Sequence, residues 1–192
     1  MKKLYSTIMM LAMVMCIICS CSNGGKPQVD EQAIKDSIAK VLKDSMAQVE
    51  QQKKEAELAE KERESAVTER LKLFGTYLKK HPYDYAEYAT SGFLSKDFEG
   101  LVTRYNKKFM SSREPWNIWS LRSSESIMGF TILEISDIAK DTAKARVKLR
   151  VTEDEENIYD SPAYSLSLIF ENGKWQVDNI DNTKQNLQSA IN

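Results

Sequence analysis

Thiols and imidazoles, the side chains that most often carry covalent or metal chemistry, are almost confined to one end of this chain. Cys16, Cys19 and Cys21 all lie within the first 21 residues, and the chain has a single histidine, His81. Disulfides, thiol catalysis and cysteine metal sites are therefore excluded after residue 21. A Ser-His-Asp arrangement would depend on His81 alone. We predict no cofactor and no metal.

Residues 1–20 have the layout of a secretory signal. Lys2 and Lys3 give a basic start, an apolar run extends from Ile8 to Ile18, and no acidic residue precedes Asp30. The apolar run is too short for a comfortable membrane span. A signal anchor or a plain secretory signal is the alternative.

The end of this segment, Ile18-Cys19-Ser20-Cys21, resembles a lipobox, the motif at which bacterial lipoproteins are cleaved and lipidated. The resemblance implies cleavage before Cys21 and lipidation of that residue. Three acyl chains anchor a protein stably without a spanning helix. It also implies a lipid-anchored protein of the cell envelope, in the outer membrane and facing the periplasm.

A tether and a stalk are predicted to follow the anchor. Residues 21–29 contain Gly24, Gly25 and Pro27, which suit a flexible tether. Residues 30–64 have no Gly or Pro and favour a charged helical stalk, with partial disorder as the alternative. Apolar residues at helical spacing in its first half indicate a weak coiled coil that could pair two copies; they include Ile34, Ile38, Val41 and Val49.

Residues 65–192 are predicted to form one α+β domain with its helices first. Val67, Leu71, Phe74 and Leu78 mark one face of a helix, and Ser95 can cap a second helix.

After residue 119 the apolar period becomes two, which indicates strands joined by short turns. Phe130 to Ile138 is one expected strand, largely buried, Ala143 to Val151 alternates regularly, and Tyr164 to Phe170 continues the pattern. Asn172-Gly173 predicts a tight hairpin into Trp175. We therefore expect an antiparallel sheet of three to four or more strands with helices on one face.

This order of elements, ending in the hairpin from Phe170 to Ile180, resembles the nuclear-transport-factor-like and cystatin-like domains often found in lipoproteins of Bacteroidota. The resemblance covers about residues 66 to 182. It implies a curved sheet wrapped around one long helix, with a conical cavity that some members use for catalysis and many for binding. Such a likeness of fold does not decide activity.

Aromatic residues are the first candidates for a ligand site in such a cavity. Trp116, Trp119 and Tyr105 could line its mouth and bind a small apolar ligand. The alternative is that these rings pack in the core where helix meets sheet.

A row of cations is the second candidate. Lys144, Arg146, Lys148 and Arg150 stand at period two on one strand and could bind an anionic partner. More often such a row is a solvated face that resists edge pairing. Overall, 27 basic and 28 acidic residues nearly cancel, so we expect no nucleic-acid partner.

An isomerase-like or cyclase-like enzyme is the least favoured hypothesis, because such chemistry needs a carboxylate base and an oxyanion donor inside the cone. Acids near strand ends are Glu134, Asp137, Asp178 and Asp181, and phenols are Tyr83, Tyr85, Tyr88 and Tyr105. No motif assigns a role to any of them. The sequence favours a non-catalytic lipoprotein that binds a small apolar ligand or a protein partner, with a structural role through stalk pairing as the alternative.

Overall fold

The structure is a computed structural model that describes residues 31–81, 91–109, 119, 121, 125–153 and 157–192. The predicted signal, the tether, Cys21 and Trp116 lie outside the described residues, as do Tyr83, Tyr85, Tyr88 and the side chain of Ile34. The chain divides into two compact units, Met1–Glu50 and Gln51–Asn192.

The described part of the first unit, residues 31–50, is helical throughout and belongs to helix α1, which spans Glu31–Lys80. Its residues are mostly Ala, Lys, Gln, Glu and other good helix formers, without Gly or Pro. The apolar side chains of this part are more than half exposed: Ile38, Val41, Leu42, Met46 and Val49.

Among its described residues, the second unit contains the remainder of α1, two further helices and five strands. The helices are α2 (Lys96–Phe109) and α3 (Thr183–Ile191). The strands are β1 (Ser126–Ser136), β2 (Thr142–Thr152), β3 (Ile158–Asp160), β4 (Tyr164–Glu171) and β5 (Lys174–Ile180). The α+β class and the antiparallel sheet predicted from the sequence are confirmed.

The sheet has the order β1-β2-β4-β5, and the short β3 pairs with the C-terminal end of β2. All these strand pairs are antiparallel. The register shifts at Met128 and at Leu133 in β1, and again where β4 pairs with β5. Each shift is a bulge, and bulges bend the strand that carries them.

The core lies between one face of the sheet and the helices. The predicted helix face of Val67, Leu71, Phe74 and Leu78 is at most 1% exposed. The alternation predicted for β2 is confirmed as well, because its inward side chains are at most 3% exposed: Ala143, Ala145, Val147, Leu149 and Val151.

Two local signals are also confirmed. The Oγ atom of Ser95 accepts a hydrogen bond from the backbone N–H of Phe98 at 3.2 Å and so caps α2. Asn172 and Gly173 have φ angles of 52° and 76°, as a tight hairpin turn requires.

Other elements differ from the prediction. β1 begins at Ser126, four residues before the expected start at Phe130, and ends at Ser136 instead of Ile138. The prediction of a largely buried strand is wrong, because β1 lies at the edge of the sheet and its side chains from Phe130 to Ser136 are half-buried or exposed. The sequence analysis did not predict β3 or α3. Both elements are short and largely exposed, so neither shows a clear apolar period; in α3 only Thr183 and Leu187 are buried.

Candidate functional site

The second unit contains an open groove of about 680 Å³ between α1 and β1, called here the α1–β1 groove. One stripe of α1, at spacings of three and four residues, forms its helix wall. The residues of this wall are Glu64, Thr68, Lys72, Gly75, Thr76 and Lys79.

Six consecutive residues of β1, Phe130 to Ile135, form the other wall of the groove. Successive side chains of a strand point to opposite faces of the sheet. The groove is lined by consecutive residues, whose side chains point to both faces of the sheet. It therefore runs along the edge of β1 and not over one face of the sheet. Thr131 and Leu133 are exposed there.

A close approach of helix to strand bounds the groove. A Cβ atom at Gly75 would lie 2.7 Å from Cβ of Phe130, closer than two carbon atoms can approach. The ring of Phe130 packs edge-on against Phe74 and Trp119, with centroids 6.0 and 6.4 Å apart. Glycine at position 75 therefore lets α1 lie directly on β1, despite the cost of glycine within a helix.

The helix wall carries two lysines, Lys72 and Lys79, and one glutamate, Glu64. Neither Lys72 nor Lys79 forms an ion pair with any residue that the structure describes. On the strand wall, Glu134 lies 3.8 Å from Arg146 and is partly neutralised by it. The groove therefore has a positive stretch along α1, with Glu64 as the acidic residue of that wall.

The threonine hydroxyls of the helix wall are turned toward the helix itself. Thr68 donates to the carbonyl of Glu64 at 2.8 Å, and Thr76 donates to the carbonyl of Lys72 at 2.9 Å. These bonds occupy the hydroxyl protons. The lysines are thus the groups on this wall with donors available for a ligand.

The edge of β1 that faces away from β2 is open within the described part of the chain. β1 pairs with β2 alone, and no described segment forms a backbone bridge to its other edge. Such an edge presents unpaired N–H and C=O groups. The groove therefore offers hydrogen-bonding backbone on one side and positive charge on the other.

The aromatic residues predicted to bind a ligand lie in the core where they are described. Trp119 is fully buried, with its ring 6.0 Å from Phe74 and 5.1 Å from Tyr164. Tyr105 is 5% exposed and packs against Phe109. Neither residue lines the groove, and their ligand-binding role stays a prediction, as it does for Trp116.

Tyr164 holds Trp119 itself against the sheet. Its hydroxyl donates to the carbonyl of Trp119 at 2.7 Å. Burial raises the pKa of Tyr164, and the negative charges of Asp181 and Glu125 raise it further. The phenol therefore stays protonated and keeps its hydrogen bond well into the alkaline range.

The predicted row of cations lies on the sheet face opposite the core. Lys144 pairs with Asp137 at 2.7 Å, and Arg146 pairs with Glu134. The hydrogen bond and the charge of Asp137 raise the pKa of Lys144. Glu134 of β1 and Asp137, which directly follows β1, thus pair with two of the four cations. The role of Lys144, Arg146, Lys148 and Arg150 toward an anionic partner stays a prediction.

The remaining candidate acids do not meet a phenol in the groove. Asp178 accepts hydrogen bonds from the hydroxyl of Ser95 at 2.6 Å and from Lys184 at 3.0 Å. Asp181 accepts from the backbone N–H of Ser165. Glu134 and Asp137 form the ion pairs described above, and Tyr83, Tyr85 and Tyr88 lie outside the described residues.

Comparisons with known protein families, with curated proteins and with solved structures found no match to this chain. Within the part of the chain that the structure describes, no helix combines the length and the apolar character that crossing a bilayer requires. The described residues also contain no group of three or more His, Cys, Asp or Glu side chains placed to hold a metal ion.

The sequence analysis missed the α1–β1 groove. One residue signalled it, because Gly75 interrupts an otherwise glycine-free helix. An interior helix glycine often marks a close approach of another element. The sequence alone does not say that this element is an edge strand.

Proposed function

We propose that this protein is a lipid-anchored envelope lipoprotein whose α+β domain binds a protein partner in the α1–β1 groove without catalysing a reaction. The groove carries the proposal, since it joins an open strand edge to a positively charged helix wall. Binding sites of this kind use main-chain hydrogen bonds for affinity and side chains for specificity.

The chemistry of the lining favours binding over catalysis. The described lining of the groove contains the carboxylates of Glu64 and Glu134 but no phenol, imidazole or thiol. Lys72 and Lys79 carry donors, but both side chains are exposed and neither is held in place by an ion pair with a described residue, whereas stabilising an oxyanion needs a positioned donor. The isomerase-like or cyclase-like alternative thus has no support in this groove.

We further propose that the domain belongs to the nuclear-transport-factor-like or cystatin-like type, with a curved sheet around α1. Two features support this: α1 packs on one face of the sheet through Val67, Leu71, Phe74 and Leu78, and the sheet has three bulges. The α1–β1 groove would then open at the rim of the cone.

The anchor is proposed on Cys21, in the outer membrane and facing the periplasm. The motif Ile18-Cys19-Ser20-Cys21 supports it. Replacing Cys21 by Ser is expected to leave the domain folded but to release or mislocalise the protein. A Cys21→Ser protein that still fractionates with membranes and incorporates palmitate would contradict the anchor.

The partner site is tested by photo-crosslinking of the full chain in its own cells. Benzoylphenylalanine replaces either Leu133 in the groove or Phe170 on the β4–β5 hairpin, two side chains with nearly equal exposure, 46% and 47%. We expect one discrete adduct from position 133 and none from position 170.

A second substitution controls for chance contacts. Thr76→Trp fills the groove from the helix wall and is expected to abolish the adduct, whereas Thr103→Trp on the exposed face of α2 should leave it unchanged. Equal adducts from positions 133 and 170, or an adduct insensitive to Thr76→Trp, would contradict the partner site.

A second candidate function is supported by the first unit. Ile38, Val41, Leu42, Met46 and Val49 are between 55% and 72% exposed on one helix. Their spacings of three and four residues suit pairing with the same stripe of a second copy, and charged residues of both signs flank the stripe. We propose that Ile34, Ile38, Val41 and Val49 pair two copies into a dimer.

Sedimentation of the detergent-extracted full chain tests this candidate. The wild type should be dimeric, and Ile38→Lys with Val41→Lys should be monomeric, because buried lysines at such positions cost more than the pairing gains. Lys54→Ala with Glu57→Ala, at exposed positions of the same helix, is the control and should leave the protein dimeric. A monomeric wild type at tens of micromolar would exclude self-pairing.

A further inference from the structure

We infer that the occupant of the α1–β1 groove is a short, extended, acidic peptide segment that adds as a strand to the open edge of β1. This inference rests on the proposed function, because it assigns the chemistry of the partner at that same groove.

The backbone edge of β1 favours an extended occupant. Phe130 to Ile135 all line the groove, although their side chains point to both faces of the sheet. The groove therefore follows the hydrogen-bonding edge of the strand. Among the described residues, nothing pairs with that edge. Only an extended chain can satisfy several consecutive N–H and C=O groups at once, as strands do in a sheet.

The second step concerns the length of the pairing segment. The register of β1 shifts at Met128 and at Leu133, which leaves four regularly paired residues, Gly129 to Ile132, between the bulges. A bulge disrupts the ladder on its strand. A short peptide fits this regular stretch, whereas β1 of a second copy would carry two bulges of its own into the pairing.

The third step concerns charge. Lys72 and Lys79 are seven residues apart on the helix wall, which places them about 10 Å from one another along the helix axis. Neither has an ion-pair partner among the described residues. A peptide with carboxylates on the side facing α1 would supply both lysines with partners.

The fourth step concerns the apolar contacts. Leu133 is 46% exposed and Phe130 is half-buried at the groove. A β-branched or leucine side chain of the peptide would cover this apolar surface, which water otherwise contacts. The expected peptide therefore alternates acidic and β-branched residues.

The experiment uses the full chain extracted in detergent and a library of displayed heptapeptides as the probe. Selection should enrich peptides with at least one acidic residue and with β-branched residues at alternate positions. Failure to enrich any peptide, or enrichment of basic peptides, would overturn the inference.

Backbone methylation of the enriched peptide then tests strand addition itself. In an added strand, alternate N–H groups point to β1 or away from it. N-methylation of one alternate set should weaken binding by at least about tenfold, while methylation of the other set changes it little. If methylation of the two sets weakens binding equally, the peptide does not add as a strand. Because only the peptide is modified, this result cannot come from misfolding of the protein.

Charge reversal tests the helix wall. Lys72→Glu and Lys79→Glu should each weaken binding several-fold at low salt, with a smaller effect at high salt because ions screen exposed charges. Lys107→Glu on α2 is the matched control and should bind like the wild type. Equal affinities for all three variants would overturn the acidic preference.

The outcomes separate the inference from the proposed function. An adduct at position 133 in cells with no peptide selected means that the groove binds a partner, but not by strand addition. Peptide binding in detergent with no adduct in cells means that the edge accepts strands, but that the protein does not use it for a partner.

Discussion

The two outer edges of the sheet differ in whether a described segment of the chain covers them. On the β5 side, the segment from Phe93 to Ser95 covers the edge: the N–H of Ser95 donates to the carbonyl of Val177 at 2.9 Å, and the N–H of Val177 donates to the carbonyl of Phe93 at 2.8 Å. On the β1 side, no described segment does the same. One edge is closed by the chain's own backbone, and the other is available.

Side chains reinforce the closed edge. Arg70 donates from Nε to the carbonyl of Trp175 at 2.8 Å and from its Nη2 to the carbonyl of Gly92, and its guanidinium stacks 4.2 Å from the Phe93 ring centre. Burial lowers the pKa of Arg70, which remains a cation because the ordinary value is so high. One side chain thus joins α1, β5 and the covering segment.

Open edges are a liability that proteins usually remove with charges, prolines or a cover. Here the chain covers β5 at Val177, in the middle of the strand, while β1 keeps an exposed leucine and a groove at its open edge. Under the proposed function, the β1 edge is kept for a partner, whereas the β5 edge serves stability. Substitutions at the β5 edge should therefore lower the free energy of unfolding, whereas substitutions at the β1 edge should leave it almost unchanged.

The largest expected effect comes from matched leucines at the two edges. Leu94 in the covering segment is 1% exposed and Leu133 in β1 is 46% exposed. Leu94→Ala should lower the free energy of unfolding by about 2–5 kcal/mol through the cavity it leaves. Leu133→Ala should change it by less than about 0.5 kcal/mol. Urea unfolding measures both, and similar losses would remove the contrast.

Arg70 is expected to have the next largest effect. Arg70→Met keeps much of the side-chain volume but removes two hydrogen bonds to carbonyls and the contact with Phe93, so we expect a loss of about 2 kcal/mol. Arg104→Met, at an exposed position of α2, is the control and should cost almost nothing. Equal stabilities of the two variants would mean that Arg70 does not hold the closed edge.

A smaller, pH-dependent effect is expected at Lys184. Burial alone would lower the pKa of this lysine, but its hydrogen bonds and ion pairs with Asp97 and Asp178 outweigh burial, and the pKa is raised above 10.5. A raised lysine pKa stabilises the fold below the unfolded-state value and loses that contribution as the pH rises through the folded-state value.

Lys184→Met should therefore reduce stability by about 1 kcal/mol at pH 7 and by progressively less above pH 10.5. Urea unfolding of variant and wild type across this range measures the difference, and Lys107→Met controls for the loss of a charge. A difference that stays constant up to strongly alkaline pH would contradict the role of the ion pairs.

The smallest effect on stability is expected in the groove. Lys72 and Lys79 have no ion-pair partner among the described residues, so Lys72→Glu and Lys79→Glu should change the free energy of unfolding by less than about 0.5 kcal/mol. The same urea titrations measure this. A loss of several kcal/mol would show that the lysines hold the fold together instead of facing a ligand.

Local patterns made much of the fold predictable. The helical spacing of Val67, Leu71, Phe74 and Leu78 identified a buried face, and the alternation in β2 identified a half-buried strand, because both periods follow from backbone geometry. Asn172-Gly173 specified its turn, because positive φ angles favour those two residues. These signals need no knowledge of distant residues.

The candidate site was not predictable in the same way. The groove depends on which strand lies outermost and on where α1 crosses that strand. Both features depend on contacts between residues that are far apart in the sequence. Phe93 to Ser95 cover β5 through contacts between residues more than 80 positions apart, and no periodic pattern in the sequence predicts these contacts. Lys144 and Arg146 matched a familiar surface pattern, but their acidic partners were visible only from the register of β1.

Residue-resolved hydrogen exchange on the full chain tests the central claim most directly, that the β1 edge is open and the β5 edge is closed. Along Gly129 to Ile132, alternate amides should exchange rapidly because they face no acceptor, while the N–H groups of Ser95 and Val177 should be protected. Uniform protection of every amide from Gly129 to Ile132 would show that another segment already covers this edge, and would contradict the account.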